Sequence, residues 1–131
     1  MSTIHLTLDA LIAKGACAHA RAEFARRYPD GIDYQQLLDT IAEDDALPDS
    51  WGSWLLSAFG RTEEVRRIDG DLTVGSVFFA GRLEVTGTLK AARGIEAGGG
   101  IEAGGGIKAG WGIKAGGGIE AGGGIEAGWG I

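Results

Sequence analysis

Residues 95–131 repeat one six-residue phrase, Ile-Glu/Lys-Ala followed by three positions that are nearly all glycine. Isoleucine recurs at every sixth position from Ile95 to Ile131, and alanine stands two positions after each isoleucine up to residue 125. A period of six with one large aliphatic residue per unit is typical of a β-solenoid. A flexible glycine-rich linker would not keep such a period. The repeat therefore predicts stacked, parallel β-structure for this part of the chain.

Each Ile-x-Ala triplet is expected to form a short strand, because the pleat places Ile and Ala on one face and the charged residue on the other. The glycines that follow are expected to turn a corner, since glycine adopts φ > 0 without steric penalty. Three such sides would close a triangular coil of 18 residues. Tryptophan replaces a corner glycine twice, at Trp111 and Trp129, which are 18 positions apart. We therefore predict that both indoles occupy the same corner of successive coils.

The 18-residue offset also predicts which charged side chains lie above one another. The predicted stacks are Glu96 with Lys114, Lys108 with Glu126, and Glu102 with Glu120. Two of these pairs are opposite in sign and one is alike. Exposed pairs between neighbouring strands contribute only about 0.2–1 kcal/mol each, so they specify the register more than they stabilise it.

The repeat continues upstream in a less regular form. Residues 72–74, 77–79, 83–85 and 89–91 keep the apolar-x-apolar pattern of a coil side. The predicted fold class is α+β, with a small helical N-terminal lobe that caps a triangular β-helix. The predicted domains are an acidic helical lobe over residues 1–66 and a hexapeptide-repeat β-helix over residues 67–131.

Four helical patterns precede the repeat. The first follows Thr7 as a candidate N-cap and ends at Gly15, and the second is alanine-rich and runs from Cys17 to Tyr28. Asp33 is a candidate N-cap for the third helix, and the fourth begins near residues 48–50 and ends at Gly60. Helices this short need tertiary packing. We expect the fourth helix also to cover the first coil, because solenoid ends expose strand edges.

Composition limits the class of protein. No apolar run approaches the length of about 20 residues that spans a bilayer, and the N-terminus lacks the pattern of a secretory signal. The single cysteine, Cys17, excludes an intramolecular disulfide. These features predict a cytoplasmic protein with no membrane association.

The chain shows no catalytic constellation. The glycine-rich tail matches dinucleotide-binding spacing only through its composition, since no βαβ unit surrounds it. His5 and His19 have no metal-binding spacing to cysteines or carboxylates, and the solenoid contains no histidine of the kind that hexapeptide transferases use. We therefore predict a protein that is not an enzyme, with no catalytic residues, no metal site and no cofactor.

Two groups of residues are candidate partner-binding sites. Residues 1–60 hold four basic and nine acidic side chains, which argues against direct nucleic-acid binding and favours either a basic partner or simple solubility. The acidic candidates are Glu43, Asp44, Asp45 and Asp49. The aromatic candidates are Trp111 and Trp129, which would form an apolar patch unless they pack on the lobe or on Arg93, one coil earlier on the same corner.

The stretches 11–18, Leu-Ile-Ala-Lys-Gly-Ala-Cys-Ala, and 24–31, Phe-Ala-Arg-Arg-Tyr-Pro-Asp-Gly, resemble a helical module at the front of many small phage and prophage proteins. The tail resembles hexapeptide solenoids and, in its Leu-x-Val-x-Gly part, bactofilin-like β-helices. Small acidic phage proteins of this kind include anti-CRISPR inhibitors. The resemblance implies a non-enzymatic inhibitor that blocks a nucleic-acid-binding surface of a host protein or nucleoprotein complex, in the host cytoplasm.

The alternative function is structural. The repeat pattern runs to Ile131, so the last coil is expected to present open strand edges. A second copy could pair with these edges, which would produce dimers or filaments.

Overall fold

The computed structural model describes residues 4–44 and 47–128, and it contains a helical lobe followed by a β-solenoid. In the lobe, two short strands, β1 (His5–Leu6) and β2 (Ile32–Asp33), pair antiparallel. The helices are α1 (Leu8–Ala13), α2 (Ala18–Arg27), α3 (Tyr34–Glu43) and α4 (Asp49–Phe59). The predicted α+β class and all four predicted helices are confirmed.

Two side-chain caps and one glycine explain where three of these helices begin or end. The Thr7 hydroxyl accepts a hydrogen bond from the backbone N–H of Ala10 at 3.3 Å, and the Asp33 carboxylate accepts one from Gln36 at 3.2 Å. Both side chains satisfy a backbone donor that has no partner within the first turn. Gly60 ends α4 with a φ of 77°, which glycine adopts at low cost.

Eleven strands form the described solenoid, and they lie on three parallel sheets. Sheet I contains β3 (Val65–Ile68), β6 (Arg82–Val85), β9 (Ile101–Ala103) and β12 (Ile119–Ala121). Sheet II contains β4 (Leu72–Val74), β7 (Leu89–Ala91), β10 (Ile107–Ala109) and β13 (Ile125–Ala127). Sheet III contains β5 (Val77–Phe79), β8 (Ile95–Ala97) and β11 (Ile113–Ala115). Each complete coil of the described chain therefore contributes one strand to every sheet.

The predicted offset of 18 residues is confirmed for the regular coils. Ile95 pairs with Ile113, and the three predicted charge stacks occur in the register of the sheets. Lys108 and Glu126 form an ion pair at 3.7 Å. The first coil is one residue shorter than the others. Val65 pairs with Arg82 and Leu72 pairs with Leu89, which is an offset of 17 residues.

The predicted reason for glycine at the corners is wrong. Positive φ values among the described glycines occur only at residues 15, 31, 60 and 70, none of which belongs to the repeat. The first glycine of a corner is required for a different reason. A Cβ at Gly104 or Gly116 would overlap the backbone carbonyl oxygen of the residue directly beneath it, in the preceding coil. Close stacking of backbones therefore selects glycine here in the regular coils, whereas Thr86 and Ala92 hold the same position above the shorter first coil. The middle corner position accepts Arg93 and Trp111.

Two hydrophobic cores meet at β5. The solenoid core holds the inward Ile, Leu, Val and Ala residues, and the lobe core holds the apolar faces of the four helices. Adjacent residues of β5 belong to different cores, because Phe79 points into the solenoid and Phe78 points outward into the lobe. Phe78 is 3 % exposed and lies so close to Gly52 of α4 that a Cβ there would collide with its ring.

Both α3 and α4 pack on β5 in the first coil. The fourth helix therefore covers this coil as predicted, and the third helix covers it as well. Gln35 of α3 replaces a missing neighbouring strand. Its side-chain amide donates to the carbonyl oxygen of Phe78 and accepts from the N–H of Ala80, both at 2.9 Å. Two backbone groups at the end of sheet III are thereby satisfied.

The sequence pattern does not predict strand β3. Its inward positions hold Arg66 and Ile68, so the apolar-x-apolar signal is lost. In the structure, the Arg66 guanidinium lies 4.8 Å from the centre of the Phe79 ring and binds both carboxylate oxygens of Asp39, at 3.2 and 3.0 Å. These contacts allow a charged side chain at the mouth of the solenoid.

Candidate functional site

The junction between α4 and sheet III forms the candidate site. The Ser53 hydroxyl of α4 donates a hydrogen bond to the Glu96 carboxylate, which points outward from β8. Lys114 occupies the equivalent outward position one coil further along. The outer face of sheet III next to α4 borders a groove that Glu96 and Lys114 line.

Arg93 ties the solenoid corner to both helices of the cap. Its Nε donates to a carboxylate oxygen of Asp49 at 3.1 Å and to the Ser76 hydroxyl at 2.9 Å. Its Nη2 donates to the backbone carbonyl of Ala42 at 3.2 Å, and the Ser76 hydroxyl donates to Asp49 at 2.7 Å. Charge-assisted hydrogen bonds of this kind hold the lobe in one orientation on the first coil.

Trp111 lies on the same corner as Arg93, one coil above it, as the sequence predicts. Its backbone N–H donates to the carbonyl oxygen of Arg93 at 3.0 Å. Trp111 is 37 % exposed, and it is one of three large apolar residues of the described chain that are exposed. The other two, Ile12 and Val65, do not line the cavity next to Trp111.

A groove of about 690 Å³ runs beside Trp111 between the lobe and the solenoid. We name it the Trp111 groove, and the residues that define it are Asp49, Ser53, Glu96, Trp111, Ile113 and Lys114. It combines an aromatic wall with Glu96 and Lys114 from adjacent coils and with Asp49 of α4, which binds Arg93. A groove with this mixture can bind an apolar anchor and orient charged groups on either side of it.

The described residues of the predicted acidic cluster make different contacts. Asp49 lies in the Trp111 groove, whereas the Arg27 guanidinium donates to the Asp44 carboxylate at 3.1 Å in the lobe. Glu43 is exposed, near the mouth of the solenoid. Asp45 and Trp129 lie outside the described residues. The structure thus brings together Asp49 and Trp111, and it engages Asp44 and Asp49 in internal ion pairs.

No sequence pattern predicts Ser53, Glu96 and Lys114 as members of a site. The charge stack of Glu96 and Lys114 is predictable from the repeat, but its position beside the lobe is not. The packing of Gly52 on Phe78, together with the bonds of Ser53 and Asp49 to the solenoid, places α4 against this sheet. A glycine in the interior of a helix is the one local signal for such a close approach.

The ion pairs of Asp44 extend to Glu23, whose carboxylate accepts hydrogen bonds from Arg26 at 2.9 Å and from Arg27 at 2.9 Å. The bonds from Arg26, and then those from Arg27, lower the pKa of Glu23 from its ordinary value of 4.5 to about 2. A lowered pKa means that this stabilisation is complete above pH 4.5 and is lost as the pH falls through 2.

We expect the Glu23→Gln variant to unfold at a lower urea concentration than the wild type at pH 7. The difference should shrink between pH 4.5 and pH 2, because in that range the carboxyl of the unfolded wild-type chain takes up a proton whereas that of the folded chain stays ionised until about pH 2. Circular dichroism at fixed ionic strength measures both midpoints. A difference that stays constant down to pH 2 would show that Glu23 acts without its charge.

Comparison of the chain with protein-family models, with curated proteins and with solved structures finds no match. Among the described residues, no helix has the length and apolar character that a membrane span requires. The same part of the chain holds no group of three or more His, Cys, Asp or Glu residues placed to bind a metal ion.

Proposed function

We propose that this protein is a non-catalytic interaction protein that binds another protein through the Trp111 groove. The observation that carries the proposal is the exposed indole of Trp111 at the edge of a groove built from two rigid elements. Tryptophan is enriched among the residues that dominate binding energy at protein interfaces. Because α4 is fixed to the solenoid through Arg93 and Gly52, the groove is preorganised for binding.

The finer proposal is that the partner is a nucleic-acid-handling host complex, and that the bound protein blocks its nucleic-acid-binding surface as anti-CRISPR inhibitors do. The acidic balance of residues 1–60 supports a basic partner surface. Since Asp44 and Asp49 are engaged in ion pairs, Glu43→Gln changes the charge of the lobe without disrupting those contacts. Under this proposal, association slows in that variant and weakens as salt rises.

The test compares Trp111→Ala with Ile12→Ala, which also removes an exposed apolar side chain but lies outside the groove. Each tagged chain is used to capture partners from host lysate, and the affinity for the captured protein is then measured by calorimetry. We expect Trp111→Ala to lose about 2 kcal/mol or more of binding free energy, over tenfold in Kd. We expect Ile12→Ala to bind as the wild type.

Equal affinity of both variants would contradict the groove as the binding site. For the finer proposal, the captured partner must bind nucleic acid, and the wild-type chain must compete with that nucleic acid. If the captured partner has no affinity for nucleic acid, the proposal of an interaction protein stands, but the proposal that it inhibits nucleic-acid binding is rejected.

Self-assembly is the second candidate function, in which a second copy adds a parallel coil to the sheets of the solenoid. Sedimentation velocity over a range of concentrations distinguishes this assembly from a monomer that binds a different protein.

A further inference from the structure

A second concave site lies within the helical lobe, on the other side of α4 from the Trp111 groove. Helix α2 packs mainly on α1, and α3 packs mainly on α4 and β5. Between the two helix pairs is a cleft of about 390 Å³, which we name the lobe cleft. Its volume is in the range of small-molecule pockets, which often form between packed helices.

Two contacts join α2 to the other helix pair beside the lobe cleft. The rings of His19 and Trp51 meet edge-on, with centres 5.3 Å apart, and Trp51 lines the cleft. Arg27 of α2, which also lines the cleft, binds Asp44 at the end of α3.

The walls of the lobe cleft are predominantly apolar and aromatic. Phe24, Leu37, Ile41 and Leu55 line it, and each is less than a tenth exposed. Trp51 and Trp54 complete the lining from α4. Aromatic rings prefer edge-to-face or offset contacts with other rings, so this lining favours a flat aromatic ligand over a branched aliphatic one.

The charges at the mouth of the lobe cleft compensate each other. Glu23 and Arg27 line it, and they bind one another at 2.9 Å. Arg27 also binds Asp44, and Glu23 also binds Arg26. A charged ligand would lose its hydration without gaining a counterion that is not already engaged. The site therefore favours a neutral ligand.

The surroundings of the lobe cleft favour a small molecule over a protein partner. A stable protein interface buries about 800 Å² on each partner around its central pocket. The large exposed apolar residues of the described chain are Ile12, Val65 and Trp111, and none of them lines the cleft. The cleft thus has an apolar interior without an apolar rim.

We propose that the lobe cleft is a binding site for a neutral, flat aromatic small molecule of one or two rings, enclosed by Phe24, Trp51 and Trp54. This site is distinct from the Trp111 groove, with which it shares Ser50, and it makes the helical lobe a ligand-binding module as well as a cap for the solenoid.

The experiment uses the full chain and two probes with the same rings, 2-naphthol, which is neutral, and naphthalene-2-sulfonate, which is an anion. Calorimetry and ligand-observed NMR measure affinity and stoichiometry. Cys17, the single cysteine of the chain, is exposed and lines the cleft, so a bound probe should slow its reaction with a maleimide. We expect one 2-naphthol per chain, bound at least about tenfold more tightly than the sulfonate.

The matched variants are Ala20→Phe, which fills the cleft, and Ala22→Phe, which adds the same ring at an exposed position of α2 outside it. We expect Ala20→Phe to weaken 2-naphthol binding at least about tenfold and Ala22→Phe to leave it unchanged. Protection of Cys17 in the wild-type chain tests the site even if Ala20→Phe fails to fold.

The proposal is overturned if 2-naphthol shows no saturable binding, if the two probes bind equally, or if Cys17 is not protected. Binding of 2-naphthol that is lost in Trp111→Ala but kept in Ala20→Phe would place the probe in the Trp111 groove and also overturn it. If a captured protein partner is lost in Ala20→Phe but retained in Trp111→Ala, the cleft binds a protein and the small-molecule class is rejected.

Discussion

Replacing Gln35 with leucine is expected to lower the free energy of unfolding by about 2–5 kcal/mol. The substitution leaves the carbonyl oxygen of Phe78 and the N–H of Ala80 without the amide that binds them, in a place where Gln35 itself is only 9 % exposed. Each buried backbone group that loses its partner costs about 1–3 kcal/mol. Urea unfolding followed by circular dichroism measures the change.

The control for this variant is Gln36→Leu, at the next position of the same helix, where the side chain is exposed. We expect it to change stability by less than about 0.5 kcal/mol. Hydrogen exchange adds a local measurement, because the Ala80 amide should exchange faster in Gln35→Leu and not in Gln36→Leu. Equal destabilisation by both variants, or an Ala80 amide that stays protected, would refute the role of Gln35 as a substitute strand.

Substituting alanine for Gly104 is expected to destabilise the solenoid by about 1–3 kcal/mol or more. The new Cβ would overlap the carbonyl oxygen of Thr86 in the coil beneath it. Because this atom belongs to the backbone, no side-chain rotation relieves the overlap. The coils on either side also restrict any shift of the chain, since Gly104 lies between β9 and β10 in the middle of the stack.

Gly94→Ala provides the matched control, since a Cβ at this third corner position, also inside the stack, meets only the carbonyl oxygen of Gly112, at an ordinary contact distance of 3.7 Å. Both substitutions restrict the unfolded chain equally, so the overlap is the main difference between them. We expect Gly94→Ala to leave the midpoint of thermal unfolding unchanged or to raise it. A Gly104→Ala variant as stable as Gly94→Ala would mean that the corner glycines are not selected by close stacking.

The repeat made most of the solenoid predictable. A parallel stack with a constant offset places every inward and outward residue once the period is known. For this reason the strands from β4 onward, the pairing of Glu96 with Lys114 and the position of Arg93 below Trp111 follow from counting. The φ > 0 explanation of the corners failed because the limiting contact is between residues 18 positions apart, and local propensity contains no information about it.

The candidate sites were less predictable than the fold. Composition pointed to Trp111 and to the acidic residues, but it could not separate Asp44 and Asp49, which bind arginines, from the exposed Glu43. The lobe cleft gave no sequence signal, since residues such as Phe24 and Leu55 have the same pattern in a filled core. Whether two helix pairs pack closely or leave a space depends on how their side chains fit together.

The period of six, the capping residues Thr7 and Asp33 and the helix end at Gly60 are local features, so the order of residues was sufficient to specify the coils and the helices. The placement of the lobe on the solenoid was decided only in three dimensions. Gln35 and Arg93 reach groups more than 40 positions away, and their contacts create the Trp111 groove. Such contacts depend on the tertiary structure, because a side chain can bind only the groups that folding brings within a few ångströms of it.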